Sequence, residues 1–123
     1  MKDLTKIITG KEGEKIACSF LEKNGYQIIE NNFRCAAGEI DMVARESGDL
    51  VFVEVKARKS LALGYPEQAV GKIKQKKLSQ LALWYLEKHQ LTDIKVRFDV
   101  VAVILSEPSH EIRLIKDAFD FIS

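Results

Sequence analysis

The feature that most constrains this chain is the stretch Gly38–Arg58, GEIDMVARESGDLVFVEVKAR. Turn-forming residues at 47–49 divide it into two segments of strand-like composition. In the second segment an apolar run at 50–53 leads directly into Glu54 and Lys56. Such a run is typical of a strand buried on both sides. The stretch therefore predicts a hairpin whose second strand carries charges where they are costly to bury.

Side chains alternate between the two faces of a strand, which assigns each residue of this hairpin to a face. In the first strand we expect an apolar face formed by Ile40, Met42 and Ala44, and a mixed face formed by Glu39, Asp41, Val43 and Arg45. In the second strand we expect an aliphatic face formed by Val51, Val53 and Val55, and a face with charges formed by Phe52, Glu54 and Lys56. The acid and the lysine thus point the same way.

Charges at the end of a buried strand have to be paired or hold a metal ion, since burying them alone is costly. If the two strands are adjacent, Asp41 lies beside Glu54, and two close carboxylates repel unless a cation lies between them. Two carboxylates with an open side suit Mg²⁺ or Mn²⁺. Lys56 would then orient a water or stabilise charge on a phosphate. The alternative is that Asp41, Glu54 and Lys56 form only a buried ion-pair network.

The size and charge of the chain bound its class. Its 123 residues suit a single domain spanning 1–123, with 1–9 as a loose or weakly helical start. A net charge of +1, from 19 basic and 18 acidic residues, gives no global argument for nucleic acid, so any such argument rests on local clusters. Cys18 and Cys35 lack metal-ligand spacing and are interpreted as free thiols. With no signal-like segment and no membrane-length apolar run, we expect a cytoplasmic protein without membrane contact.

Glu14 is the second unusual acid. We expect a helix over 10–24, and helical spacing places Glu14 on or beside the apolar stripe formed by Ala17, Cys18 and Leu21. One interpretation is a glutamate in the first turn, favoured by the helix dipole. The other is a carboxylate aimed inward at the same metal. The sequence leaves both open.

The remaining pattern predicts an α/β fold with a mixed central sheet flanked by helices. We expect strands over 26–34, 94–105 and 111–116, the last at an edge, and a long helix from Pro66 to Gln90. A long helix between strands allows the next strand to return parallel to the one that carries Glu54. Asp99, on the strand 94–105, is either a further site acid or the ion-pair partner of Arg97.

Basic residues surround the start of the long helix, and they have two interpretations. They are Arg58, Lys59, Lys72, Lys74, Lys76 and Lys77. A run of lysines on a helix is usually a solvated face. Because this run follows the candidate metal site, contact with nucleic-acid phosphates is the alternative.

The spacing of Glu14, Asp41 and the triplet 54–56 (Glu-Val-Lys) resembles the PD-(D/E)XK signature of restriction-endonuclease-like nucleases. More closely, the chain is similar to the YraN-type family of uncharacterised bacterial proteins. Further matching segments carry that similarity: Gly10, Glu14 and Ala17; 38–41 (GEID); 51–58 (VFVEVKAR); Lys74-Gln75; 97–101 (RFDVV); and 117–119 (DAF). Ile40 stands where the wider signature has its proline.

The resemblance implies a nuclease-like fold with relatives among Holliday-junction resolvases, and a metal-dependent endonuclease acting on DNA, including branched DNA. It implies that Asp41 and Glu54 hold Mg²⁺ or Mn²⁺ with the Val55 carbonyl, that Glu14 completes the site, and that Lys56 positions water or stabilises the phosphate. Gln75 is implied as a residue that lines the site or contacts DNA. Junction cleavage would favour a homodimer. The alternative function is a nucleic-acid-binding or adaptor module that keeps the fold with little or no turnover.

Overall fold

The computed structural model describes residues 4–60, 64–65, 67, 70–106 and 108–123. In these residues two helices and five strands follow one another: α1 (Leu4–Lys23), β1 (Gln27–Cys35), β2 (Gly38–Glu46), β3 (Asp49–Arg58), α2 (Lys72–Lys88), β4 (Val96–Ile104) and β5 (Glu111–Ile115). The strands form one sheet in chain order, β1-β2-β3-β4-β5. The predicted α/β class is confirmed. Neither described helix has the length and apolarity needed to cross a membrane.

The sheet is mixed, as the sequence predicted. β3 and β4 pair in parallel from Leu50–Val96 to Arg58–Ile104, and the other neighbouring strands are antiparallel. The connection from β3 to β4 contains α2, because parallel neighbours need a crossover. β5 pairs only with β4 and forms an edge, which confirms the expectation for 111–116.

The core lies on both faces of the sheet. On one face α2 packs through Leu81 and Tyr85 against Phe52 of β3. On the other face α1 packs through Ala17 and Leu21 against an aliphatic cluster of the central strands, which includes Val51, Val53, Val101 and Val103. β3 is therefore buried on both sides, as its apolar run predicted.

The predicted faces of β2 are wrong at one point. Ile40 packs with the α2-side cluster, whereas Met42 packs with the α1-side cluster, although strict alternation places them together. The reason is that the pairing of β2 with β3 ends at Met42–Val53. Beyond this pair the backbone of β2 is free of the β3 ladder and the alternation is lost at Asp41.

Both helices differ from their predicted bounds. Residues 4–9 were predicted to be loose or weakly helical, and the structure places them in α1, where buried Thr9 donates a hydrogen bond to the Thr5 carbonyl (2.8 Å). α2 was predicted to begin at Pro66, which lies outside the described residues; it begins at Lys72, because Gly71 at its N-cap is extended (ψ −176°). α2 also ends before Gln90, which has a left-handed φ of +51°.

Candidate active site

The site is built where β2 and β3 diverge. Past the Met42–Val53 pair, β3 continues beside β4 to Arg58 while β2 leaves the ladder. Asp41 is the first residue of β2 beyond this fork, and its Oδ2 accepts a hydrogen bond from the Val55 N–H (2.8 Å). The Asp41 carboxylate accepts from the β3 backbone as a carbonyl of a neighbouring strand would. It is thereby held at the point where β2 and β3 separate.

Glu54 reaches the same place from β3. It is only 4% exposed, and two lysines approach its Oε2: Lys74 Nζ of α2 at 3.1 Å and Lys56 Nζ at 3.8 Å. Neither contact has hydrogen-bond geometry, so this oxygen has no hydrogen-bond partner among the described residues. Buried polar atoms are usually hydrogen-bonded. Glu54 Oε2 is therefore available to a further ligand.

The carboxyl groups of Asp41 and Glu54 lie side by side, which confirms the adjacency expected from the hairpin. Burial raises the pKa of Glu54 to about 7, assisted by a hydrogen bond with Asp41 and by its charge, while Lys74 and Lys56 oppose the rise. Burial also raises the pKa of Asp41, whereas the hydrogen bonds from Glu54 and the Val55 N–H lower it. The buried Glu54 carboxyl therefore binds a proton more readily than a solvated glutamate does.

Glu14 approaches Asp41 from α1. Single carboxylate oxygens of Glu14, Glu39 and Asp41 all lie within 4.8 Å of one another. Glu14 is partly buried, and its charge contributes to the raised pKa of Asp41. Gly13 makes this approach possible, because a Cβ at that position would overlap the Cβ of Ala57 in β3. The structure thus places the Glu14 carboxylate beside Asp41, and its role as a metal ligand stays a prediction.

Glu39 is a member of the acidic group that the sequence reasoning did not assign to the site. Glu39 is partly buried, and its Oε2 accepts from Nε of the exposed Arg34 (3.2 Å). A signal for it was present, since Glu39 lies two residues from Asp41 and was expected on the same strand face. Glu54 lies beside Asp41, which belongs to this group. The site therefore contains four acids, whereas the sequence predicted three of them.

The predicted nucleic-acid residues have different environments in the structure. Lys74 faces inward to Glu54, and the Gln75 side chain donates to the Val70 carbonyl (3.1 Å). Arg58 is partly buried at the end of β3. The exposed members of the set are Lys59, Lys72 and Lys76. Lys74 and Gln75 therefore have contacts within the protein, and a role in binding DNA stays a prediction for the set.

Asp99 is a structural acid. It is fully buried, accepts from Tyr26 Oη (2.6 Å) and Arg97 Nε (2.9 Å), and caps the Asp117 N–H (3.0 Å). Arg97 also pairs with Glu46 at 2.8 Å, next to the β2–β3 turn. These contacts confirm the ion pair of Asp99 with Arg97.

A mixed sheet between two helices, with acids from α1, β2 and β3 meeting beside a lysine, is compatible with the restriction-endonuclease-like fold. The sequence model described as uncharacterised protein family UPF0102 matches residues 13–103, and the chain belongs to this family. A UPF0102 protein of Syntrophus aciditrophicus is 50% identical over 112 residues, covering 91% of this chain and 88% of the relative. Those of Acetivibrio thermocellus and Caldicellulosiruptor saccharolyticus are 48% and 43% identical, covering 93% and 89% of this chain and 92% and 95% of the relatives.

Proposed function

We propose that this protein is a divalent-metal-dependent endonuclease that hydrolyses DNA phosphodiester bonds, including those of branched DNA. The main support for the proposal is that the side chains of Glu14, Asp41, Glu54 and Lys56 lie close together where β2 and β3 separate. Four acids concentrated at one point, one of them buried, destabilise a fold unless a cation balances them. Such an arrangement fits a site that is completed by a ligand.

The residues fit Mg²⁺ or Mn²⁺. Both ions prefer carboxylate and carbonyl oxygens. The chain offers oxygens of Asp41 and Glu14, and the buried Glu54 Oε2 without a hydrogen bond. When bound, the ion would supply Lewis acidity and a water of lowered pKa.

The protein groups around the acids have roles that follow from their positions. The Val55 N–H fixes the Asp41 carboxylate, so that it does not rotate when substrate arrives. Lys56 is about one-third exposed and points along the same face as Glu54, where its ammonium orients an attacking water or stabilises charge on the phosphate. Lys74 balances Glu54 at 3.1 Å and limits the repulsion between the acids.

The test is cleavage of end-labelled single-stranded, duplex, flap and four-way-junction DNA with Mn²⁺, Mg²⁺ or EDTA. Wild type is compared with a Glu54→Gln, Lys56→Ala variant and with a charge-matched control, Glu111→Gln, Lys23→Ala, whose positions are exposed. Metal-dependent cutting by wild type and the control, and none by the site variant, supports the proposal. Absence of cutting on every substrate contradicts it.

The second candidate function is a nucleic-acid-binding or adaptor module with little or no turnover. The near-zero net charge favours it, because an autonomous DNA-binding enzyme is usually more basic. The ion pair of Glu54 with Lys74 also favours it, since the buried acid already has a balancing charge. Binding to DNA that is unchanged in the Glu54→Gln, Lys56→Ala variant, without cleavage by wild type, is the result this alternative expects.

A further inference from the structure

An open cleft of about 640 Å³ leads to the acidic group from the side of α1. The first half of α1 forms one wall and the edge strand β1 forms the other. Glu14 and Glu39 lie among its lining residues, so the cleft ends at the candidate metal site. None of the nucleic-acid contacts predicted from the sequence around α2 lines it.

One wall of the cleft carries three cations. Lys6, Lys11 and Lys15 line it, and all three are exposed. Lys11 and Lys15 are four residues apart, so they lie on one face of α1 at about 6 Å along the helix axis, whereas Lys6 reaches the cleft from another side of the helix. Within the residues that the structure describes, no ion pair is formed by these lysines. Lys11 and Lys15 thus offer two available positive charges with a spacing similar to that between successive phosphates of one strand.

The opposite wall supplies amide donors. Asn31 and Asn32 are consecutive residues of β1, yet both are exposed and both line the cleft. Asn32 has a left-handed φ of +56°, which interrupts the alternation of the strand. Arg34 lies farther along the same wall. Asparagine and arginine side chains are common donors to phosphate and sugar oxygens.

We propose that this cleft holds a single strand of nucleic acid, contacted through its phosphates, and directs it to the acids at the fork of β2 and β3. The inference rests on the proposed function, because it gives that site its substrate path. The cleft has the volume of a site for one ligand of modest size, which favours a short length of one strand over a duplex. The substrate class is therefore DNA with a single-stranded arm, and binding is independent of base sequence.

The test is fluorescence anisotropy with a labelled single-stranded oligonucleotide and the matching duplex, in EDTA, over a range of salt concentrations. Lys11→Gln, Lys15→Gln removes two charges from the cleft, and the control Lys23→Gln, Lys95→Gln removes two from exposed positions outside it. We expect the cleft pair to weaken single-strand binding by about tenfold at low salt and to reduce the salt slope by about 1.4. The control pair is expected to change affinity by less than about twofold.

A third variant tests the cleft without removing a lysine. Gly10 lines the cleft, and a Cβ at this position would have no atom within 4 Å. Gly10→Glu places a negative charge in open space on a helix, so it is expected to fold normally and to weaken single-strand binding. Equal losses from the cleft pair and the control pair, or a Gly10→Glu variant that binds as wild type does, would overturn the inference.

The outcomes separate this inference from the proposed function. The binding measurement in EDTA needs neither metal nor cleavage. Binding that depends on the α1 lysines, in a protein that cuts no substrate, supports the cleft and contradicts the nuclease. Metal-dependent cutting by the Lys11→Gln, Lys15→Gln variant at the wild-type rate and affinity supports the nuclease and overturns the cleft.

Discussion

Gly13 of α1 lies directly against Ala57 of β3, with no room for a methyl group between them. A Cβ on Gly13 would overlap the Ala57 Cβ and come within 3.7 Å of its Cα. The helix thus approaches the strand more closely than any side chain at position 13 would allow. Glu14 is the next residue, so this contact sets the distance between its carboxylate and Asp41.

Gly13→Ala is expected to move α1 away from β3. Overpacking of this kind costs about 1–3 kcal/mol, which outweighs the roughly 1 kcal/mol that alanine gains over glycine in a helix. Urea unfolding measures the loss. Ala57→Gly in the same chain should restore most of it, and Gly10→Ala, where a Cβ meets nothing within 4 Å, should be neutral or stabilising. A Gly13→Ala variant as stable as Gly10→Ala would show that the approach is not tight.

Glu54→Gln is expected to stabilise the metal-free protein at high pH. The pKa of Glu54 is raised from 4.5 to about 7, so the folded state binds a proton that the unfolded state releases. Wild type therefore loses stability as the pH rises from about 4.5 through 7, by an amount on the order of 3 kcal/mol, and the variant lacks this loss. Unfolding by urea in EDTA at pH 5 and pH 8 measures the difference.

The same variant separates a ligand site from a structural network. If the acids and lysines served only the fold, removing the charge of Glu54 would leave Lys56 and Lys74 without their partner and destabilise the protein at pH 8. Destabilisation by Glu54→Gln in EDTA at pH 8 would therefore contradict the account. Stabilisation of wild type by added Mn²⁺, absent in the variant, would agree with it.

Asp99→Asn is expected to destabilise the fold by about 2–4 kcal/mol without changing metal affinity. The fully buried carboxylate accepts from Tyr26 and Arg97, and an amide leaves the guanidinium partly unpaired. Lys116→Gln is the control, because the ion pair of Lys116 with Glu46 is half-exposed and contributes at most about 1 kcal/mol. Thermal unfolding of both variants, with and without Mn²⁺, tests this. A change in the Mn²⁺ affinity of Asp99→Asn would contradict this and show that Asp99 contributes to the metal site.

The parts of the fold set by strong periodic patterns were predictable. β3 has one long apolar run and pairs in parallel with β4, as the sequence indicated, and its buried position made Glu54 recognisable as an unusual acid. The helix bounds were less predictable, because they depend on single backbone conformations such as the extended Gly71.

The proximity of Asp41 to Glu54 was expected from the sequence, whereas the presence of Glu39 and the break in strand alternation at Asp41 were not. Periodicity assumes that pairing continues along a strand, and it fails at Asp41, where the ladder ends and the side chain itself binds Val55. The inward role of Lys74 depends on the angle at which α2 crosses the sheet, which no local pattern records. The cleft between α1 and β1 was missed for the same reason, since Lys6 and Asn31 are far apart in sequence.

The most direct test of the central claim is Mn²⁺ binding by isothermal titration calorimetry at pH 8, where Glu54 is ionised. Asp41→Asn is the decisive variant, because its amide oxygen still accepts from the Val55 N–H while the charge is removed. We expect binding by wild type and by the exposed control Glu111→Gln, and at least tenfold weaker binding by a folded Asp41→Asn. Wild type that binds no Mn²⁺, or Asp41→Asn that binds it equally well, would contradict the claim that the acids at the fork hold a divalent cation.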